Sequence, residues 1–270
     1  MTYNMQNTFE TIYTEQKGKV TYLFLNRPDQ HNALNRTMVQ ELTRYFRIVG
    51  DDPEVQVVIM RGAGKSFCSG ADLLWMKNSV DLTPEENLKE AEELSELFES
   101  IRSCQKIVIG TAHGSIYGGG NGLLAACDLA YCLDDCRFSL SETRIGLAAA
   151  TIAPYLLYRM PPHVVKELVF TAQLFNGTEA QSAGLVNRSF ATPEEMENHV
   201  QLTIESILRG GPGSLIESKK LINKLSGFMF PEDTSREMAR ILARLRVSPE
   251  AQEGMQAFVE KRKPNWHNLP

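Results

Sequence analysis

A chain of 270 residues, 43% hydrophobic and 23% charged, has the composition of a globular protein with one large core or a core plus an appendage. A formal net charge of −5 and a pI near 5.7 exclude electrostatic steering toward nucleic acid or anionic lipid, so neither is expected as a partner. No stretch approaches the roughly 20 apolar residues that span a bilayer. The segment from Met1 to Glu10 lacks a leader's apolar region, and five cysteines without C-x-x-C spacing suit a reducing, cytoplasmic setting. Val20 to Leu25 is β-rich and is stopped at Asn26-Arg27-Pro28, where proline cannot continue a strand. Leu34, Met38, Leu42, Tyr45 and Val49 recur at helical spacing. Val55 to Met60 reads as a strand buried on both faces, ending at the turn Gly62-Ala63-Gly64.

Thr83-Pro84-Glu85-Glu86 carries a capping-box pattern and opens a helix with the apolar stripe Leu88, Ala91, Leu94, Leu97, Phe98 and Ile101. Ile107 to Ala112 predicts another buried strand, followed by Gly118-Gly119-Gly120 and then a helical run from Leu123 to Cys127. Leu129 to Leu133 is strand-like again. Beyond Pro161 the pattern is mainly helical, with starts at Thr192-Pro193 and Ser248-Pro249, and no strand is expected beyond Val186. The organisation is therefore α/β for about two-thirds of the chain, with helices after it; no repeat of fixed period stands out.

Gly64-Lys65-Ser66 is not a nucleotide P-loop, because Ile59 stands where its first glycine belongs. Gly118-Gly119-Gly120-Asn121-Gly122 is no dinucleotide fingerprint, because Leu123 takes the sixth position. Glycines opening a helix either permit close packing or expose bare N–H groups at the positive end of the helix dipole, where an oxyanion can develop.

Two segments together carry a resemblance. Lys65-Ser66-Phe67-Cys68-Ser69-Gly70-Ala71-Asp72-Leu73 resembles one crotonase motif, and His113-Gly114 with Tyr117-Gly118-Gly119-Gly120 and Ala125-Ala126-Cys127-Asp128 resembles the second. Leu25 to Pro28, Asn32-Ala33-Leu34, Phe138 to Glu142, Ala183 to Val186, and Ala257-Phe258 with Glu260 to Pro264 extend the likeness, in order, along the chain. The resemblance to the crotonase (enoyl-CoA hydratase/isomerase) superfamily implies a ββα spiral core over residues 1–205. It also implies a helical C-terminal region, 206–270, that builds homotrimers or dimers of trimers. The substrate implied is an acyl-CoA, so coenzyme A arrives with the substrate and no separate cofactor is expected. The histidines and cysteines show no metal-ligand spacing, so no metal is expected either.

By the same resemblance, the Ala71 and Gly119 N–H groups form the oxyanion hole and Glu142 is the catalytic carboxylate. The first of the family's two hydratase glutamates would stand where this chain has Gly122. Gly70 to Lys77, Ser141 to Leu147 and Ala150 to Tyr155 look like the methylglutaconyl-CoA hydratase branch, which implies a branched, dicarboxylic acyl group. The missing side chain at Gly122 is expected to make room for it, with Lys77 or Arg144 receiving its far carboxylate. Ser69, Asp72, Trp75 and Gly118 are expected beside the substrate, and Arg27, Lys65 and Lys261 near the coenzyme A phosphates or adenine. Several of these have plainer readings. Trp75 and Met76 suit core or lid packing equally well, Lys77 and Arg144 suit a solvated surface, and Asp72 suits a helix cap. His113 and Asp128 read as structural, and Cys68 lacks a histidine partner. The competing functions are double-bond isomerisation, decarboxylation of a glutaconyl thioester, and acyl-CoA binding without turnover.

Overall fold

The computed structural model describes residues 9–226 and 234–268. Residues 1–8 and 269–270, the outermost parts of the two expected regions, lie outside it, as do 227–233. Strand β1 (Ile12–Lys17) pairs antiparallel with β2 (Val20–Leu25). From β2 onward the main sheet grows by parallel crossovers. Helix α1 (Arg36–Gly50) leads to β3 (Val57–Gly62); α2 (Leu73–Asn78) and α3 (Pro84–Ser103) lead to β4 (Ile107–Ala112). Strand β5 (Ser115–Tyr117) and α4 (Gly119–Ala126) lead to β6 (Leu129–Leu133). Then β7 (Arg137–Ser139), α5 (Ala153–Arg159), α6 (Pro162–Thr171) and α7 (Gly177–Ala183) precede β8 (Arg188–Phe190). The six strands lie in the order β1-β2-β3-β4-β6-β8, while β5 and β7 form a second, smaller parallel layer.

The chain closes with α8 (Pro193–Leu208), α9 (Pro212–Leu225), α10 (Thr234–Arg246) and α11 (Pro249–Val259). This is the expected mixed α/β crotonase-like fold: a strand in the main sheet, a short strand in the second layer, then a helix. The strands predicted over Val20–Leu25, Ile107–Ala112 and Leu129–Leu133 form over those same residues. The capping box at Thr83 is made in full, and Asn35, Thr192 and Ser248 cap α1, α8 and α11. Strand β8 corrects the expectation of none beyond Val186; three residues at a sheet edge are too few to show a period.

One face of the sheet packs against α1, α3 and α4 through Leu23, Leu25, Val58, Met60, Val108 and Ala112. The other face is covered by α8, with Val200 and Ile204 against Val57, Ile59, Ile109 and Tyr131. The boundary expected between residues 205 and 206 lies inside α8, and Ala239, Leu242 and Ala243 of α10 join the main core. Lys219 of α9 is buried, its Nζ donating to Asp128 Oδ2 at 2.8 Å and to the Lys106 carbonyl at 3.0 Å. Asp128 also accepts from the Val108 N–H, so it ties α9 to the sheet. Among the described residues, no helix is long and apolar enough to cross a membrane.

Helix α11 sits hard against the 3-10 turn Glu142–Ile145. A Cβ on Gly254 would stand 2.5 Å from the Ile145 carbonyl carbon, whereas one on Gly213 of α9 would meet nothing within 4 Å. Gly254→Ala should therefore cost about 1–3 kcal/mol of stability, while Gly213→Ala should be neutral or mildly stabilising. Urea unfolding of the two variants checks the contrast; equal stabilities would show that α11 yields freely.

Candidate active site

Three backbone segments running side by side build the site. Residues 67–70 run beside β5, with Phe67 N–H to the His113 carbonyl at 2.8 Å, Cys68 N–H to Ser115 at 3.2 Å and Tyr117 N–H to Cys68 at 3.1 Å. Strand β7 flanks β5 on its other side, pairing Ser115 with Arg137 and Tyr117 with Ser139. All three segments end at one place, delivering Ala71, Gly119 and Glu142 together. Asn121, fully buried, holds that junction by donating to the Ser139 carbonyl at 2.9 Å and more weakly to those of Ile116 and Gly118.

Glycine is required twice here. Gly118 stands at φ 45°, and a Cβ on Gly120 would lie 2.4 Å from the Cys68 carbonyl oxygen. The result is two backbone donors with nothing to donate to. Among the described residues neither the Ala71 N–H nor the Gly119 N–H, the first of α4, has a hydrogen-bond partner. Ala71 is held by its neighbours, since Leu34 N–H donates to the Gly70 carbonyl at 2.7 Å and Asp72 N–H to Leu34 at 2.9 Å.

The cavity at this junction encloses about 170 Å³. Ser69, Ala71, Trp75, Gly118, Gly119, Glu142 and Arg144 all line it, as does Tyr117. Glu142 is the only acidic side chain on its wall among the described residues. A Cβ placed on Gly118 would be 3.4 Å from Glu142 Oε1, while Oε2 is cut off from solvent and has no hydrogen-bond partner among the described residues. Burial against Ile145, Leu147 and Ile152 pushes this carboxyl up to about 7, opposed only by its own backbone N–H. Such a group exchanges a proton readily near neutrality.

Other expected site residues have different work. Gly122 does not open onto the cavity: a Cβ there would meet Ile152 Cγ2 at 2.4 Å and Phe98 Cε1 at 2.8 Å. The space left by a missing side chain is thus filled by Phe98 and Ile152, which corrects the expectation of room for a branched acyl group. Asp72 caps α2, accepting from the N–H groups of Leu74 at 2.8 Å and Trp75 at 3.2 Å, and pairs with Arg27 at 2.8 Å. Burial alone would raise its pKa, but the Arg27 hydrogen bond and the two N–H groups hold it below the usual carboxylate range. Arg27 also donates to the Ala33 carbonyl at 2.6 Å, so both residues brace the Ala71 loop rather than face a ligand.

Lys77, Lys65 and Lys261 are exposed and off the cavity wall. Arg144 is exposed and donates to the Thr171 carbonyl at 2.7 Å. His113 binds the Gly64 carbonyl, and burial pushes the Cys68 thiol up to about 12, which removes it as a nucleophile.

The sequence reasoning missed the contribution of the C-terminal helices. Leu242 and Arg246 of α10, Met255 and Phe258 of α11, and Leu94 of α3 complete the wall. A signal for Arg246 exists in helical phase. Arg236, Arg240 and Arg244 recur every four residues on an exposed face, whereas Arg246 lies about 200° round from Arg244, in line with buried Leu242 and Ala243.

Known proteins are similar to this chain in sequence and in fold. The enoyl-CoA hydratase/isomerase family model matches residues 15–269. Crotonyl-CoA hydratase from Syntrophomonas wolfei is 32% identical over 265 aligned positions, covering 96% of this chain and 98% of its own. The peroxisomal Delta(3,5)-Delta(2,4)-dienoyl-CoA isomerase of Arabidopsis thaliana is 31% identical, with 100% of both chains covered. The crystal structure of an enoyl-CoA hydratase from Mycobacterium avium superposes with a TM-score of 0.84 at 31% identity, covering 96% of this chain and all of that one. The chain belongs to the enoyl-CoA hydratase/isomerase family. Its chemistry is of the enoyl-CoA hydratase/isomerase type, on acyl-CoA substrates.

The raised Glu142 pKa has a consequence for stability. Between the unfolded value near 4.5 and the folded value near 7, the native state binds the extra proton, so stability falls as pH rises through this window. Glu142→Gln removes the penalty. It should be more stable than the parent at pH 8, by up to about 3 kcal/mol, and little different at pH 4.5. Thermal melts at the two pH values test this; a variant destabilised at pH 8 would contradict it.

Proposed function

We propose that the protein reversibly hydrates a branched enoyl-CoA of the 3-methylglutaconyl type, with Glu142 as its one acid/base group. The observation that carries hydratase chemistry with one carboxylate is the unpartnered, solvent-free Glu142 Oε2 beside two unpartnered N–H groups in one cavity. The choice of acyl group is supported by the branch-like segments. Trp75 and Met76, Ile145 and Leu147, and Thr151 and Ile152, one pair from each, line the cavity.

In this mechanism the thioester oxygen accepts from Ala71 and Gly119. Ionised Glu142 takes a proton from water as the water oxygen bonds to the β-carbon, and the π electrons move to the thioester oxygen as an enolate. Each backbone donor contributes roughly 3 kcal/mol as that charge develops. The enolate then collapses, and Glu142 returns its proton to the α-carbon. The carboxylate begins and ends ionised, so hydration and dehydration both need it unprotonated.

A second reading, double-bond isomerisation, is favoured by the same single carboxylate, which can carry a proton from one carbon to another without water. Mass-resolved turnover of crotonyl-CoA, 3-methylglutaconyl-CoA and a 3-enoyl-CoA separates the two. Gain of water on 3-methylglutaconyl-CoA, falling by at least about 100-fold in Glu142→Gln, is expected. The expected kcat/KM rises with pH through a single limb near 7 in both directions. Mass-neutral conversion of the 3-enoyl-CoA alone would make the enzyme an isomerase. A bell-shaped profile that survives Glu142→Gln would remove Glu142 from the chemistry.

A further inference from the structure

Arg246 is a buried cation whose hydrogen-bonding capacity is unmet. Its side chain is 9% exposed, it lines the same cavity as Glu142, and its Nη1 has no hydrogen-bond partner among the described residues. The nearest carboxylate, Glu90, is also buried, and its Oε2 lies 3.7 Å from Nη1, beyond hydrogen-bond length. That Oε2 is already held by Trp75 Nε1 at 2.7 Å, while Glu90 Oε1 lies 3.9 Å from Arg36. Arg36 in turn is gripped by both oxygens of Glu93, at 2.7 and 2.9 Å. Arg246 stacks its guanidinium 5.6 Å from the centre of the Trp75 ring, and burial lowers its pKa against the pull of Glu90.

A guanidinium taken out of water ordinarily acquires a full set of acceptors, because leaving its donors unmatched costs more than pairing them gains. Glu90 balances the charge of Arg246 in the free protein without occupying its donors. The position is also fixed, by the Trp75 face and by α10 packed on the core through Ala239, Leu242 and Ala243. What is missing is an acceptor brought from inside the cavity. A coenzyme A phosphate suits a solvent-facing cation better than this buried one, whereas the acyl group is the part of the substrate that enters the cavity.

We propose that Arg246 selects acyl-CoA substrates whose acyl chain ends in a carboxylate, which its planar fork of N–H groups receives. The proposal rests on the acyl-CoA reading of the cavity and moves the carboxylate-binding role expected of Lys77 or Arg144 to a residue of α10. Arg246 acts on selection, so it is separable from the chemistry at Glu142.

Binding of unreactive saturated thioesters tests this without relying on turnover. Calorimetry on the full chain would compare glutaryl-CoA, its terminal amide, and pentanoyl-CoA, which share acyl length and differ at the end group. The parent protein should bind glutaryl-CoA at least about 10-fold tighter than either other ligand. Arg246→Met should bring that ratio to within about 2-fold while leaving pentanoyl-CoA affinity nearly unchanged, and Arg246→Lys should restore part of it. Equal binding of glutaryl-CoA and pentanoyl-CoA by the parent would overturn the proposal, as would an amide bound as well as the acid, or a preference that persists in Arg246→Met. Should the methionine variant fail to fold, Arg246→Lys takes its place: a reduced preference for glutaryl-CoA is expected, and one equal to the parent's would overturn the proposal. A carboxylate preference in a protein that hydrates nothing would leave Arg246 standing and remove the hydratase; hydration of crotonyl-CoA without carboxylate preference would do the reverse.

Discussion

The site depends on one constraint, the close parallel run of residues 67–70, β5 and β7. Their backbones are locked by the Phe67, Cys68 and Tyr117 hydrogen bonds on one side and the β5–β7 pairing on the other. Because hydrogen-bonded neighbours end in step, the chain after each segment emerges at one junction, and there the three functional atoms meet. The approach of Gly120 to the Cys68 carbonyl sets how near α4 can start to the Ala71 loop. A side chain at that point would push the helix N-terminus back and separate the two N–H groups. The oxyanion site is therefore a property of backbone spacing, and the side chains around it serve to hold that spacing.

Burial then converts this geometry into reactivity. The apolar wall of Ile145, Leu147 and Ile152 deprives Glu142 of solvent and holds its pKa near 7. Making the wall more polar would lower the proton affinity of Glu142 while leaving the two backbone donors where the paired segments hold them. The turn bearing Glu142 is itself pinned by α11 against Ile145, which ties the position of the carboxylate to the packing of the C-terminal segment.

Legibility in the sequence followed the range of the interactions. Caps at Thr83, Thr192 and Ser248 act within three residues, and strands such as Ile107–Ala112 declare themselves by continuous apolar runs, so both could be read locally. Glu142, Ala71 and Gly119 were found through motif likeness, because their meeting depends on segments far apart in the chain. Gly122 shows the limit of arguing from a missing side chain: the sequence shows the gap, but Phe98, from a helix about two dozen residues earlier, fills it. Arg27 misled in a similar way, since a basic residue near the site matches a phosphate until its partner, Asp72, is seen 45 positions away. Strand β8 exists only because β6 offers it an edge.

The division of labour in the cavity follows from which elements supply each part. The reacting atoms are held by backbone at the ends of parallel segments, where displacement is resisted by sheet pairing and by Asn121. The far wall, with Leu242, Arg246, Met255 and Phe258, comes from helices laid over the core from outside the sheet. Side chains on those helices can change size or charge without disturbing the hydrogen bonds that align the two donors with Glu142. Chemistry common to a family and selectivity particular to one member can therefore coexist in one cavity. A buried arginine on α10, anchored by Trp75 and balanced by Glu90, is the kind of feature such an arrangement allows: it alters what the cavity accepts while leaving the geometry of the reaction in place.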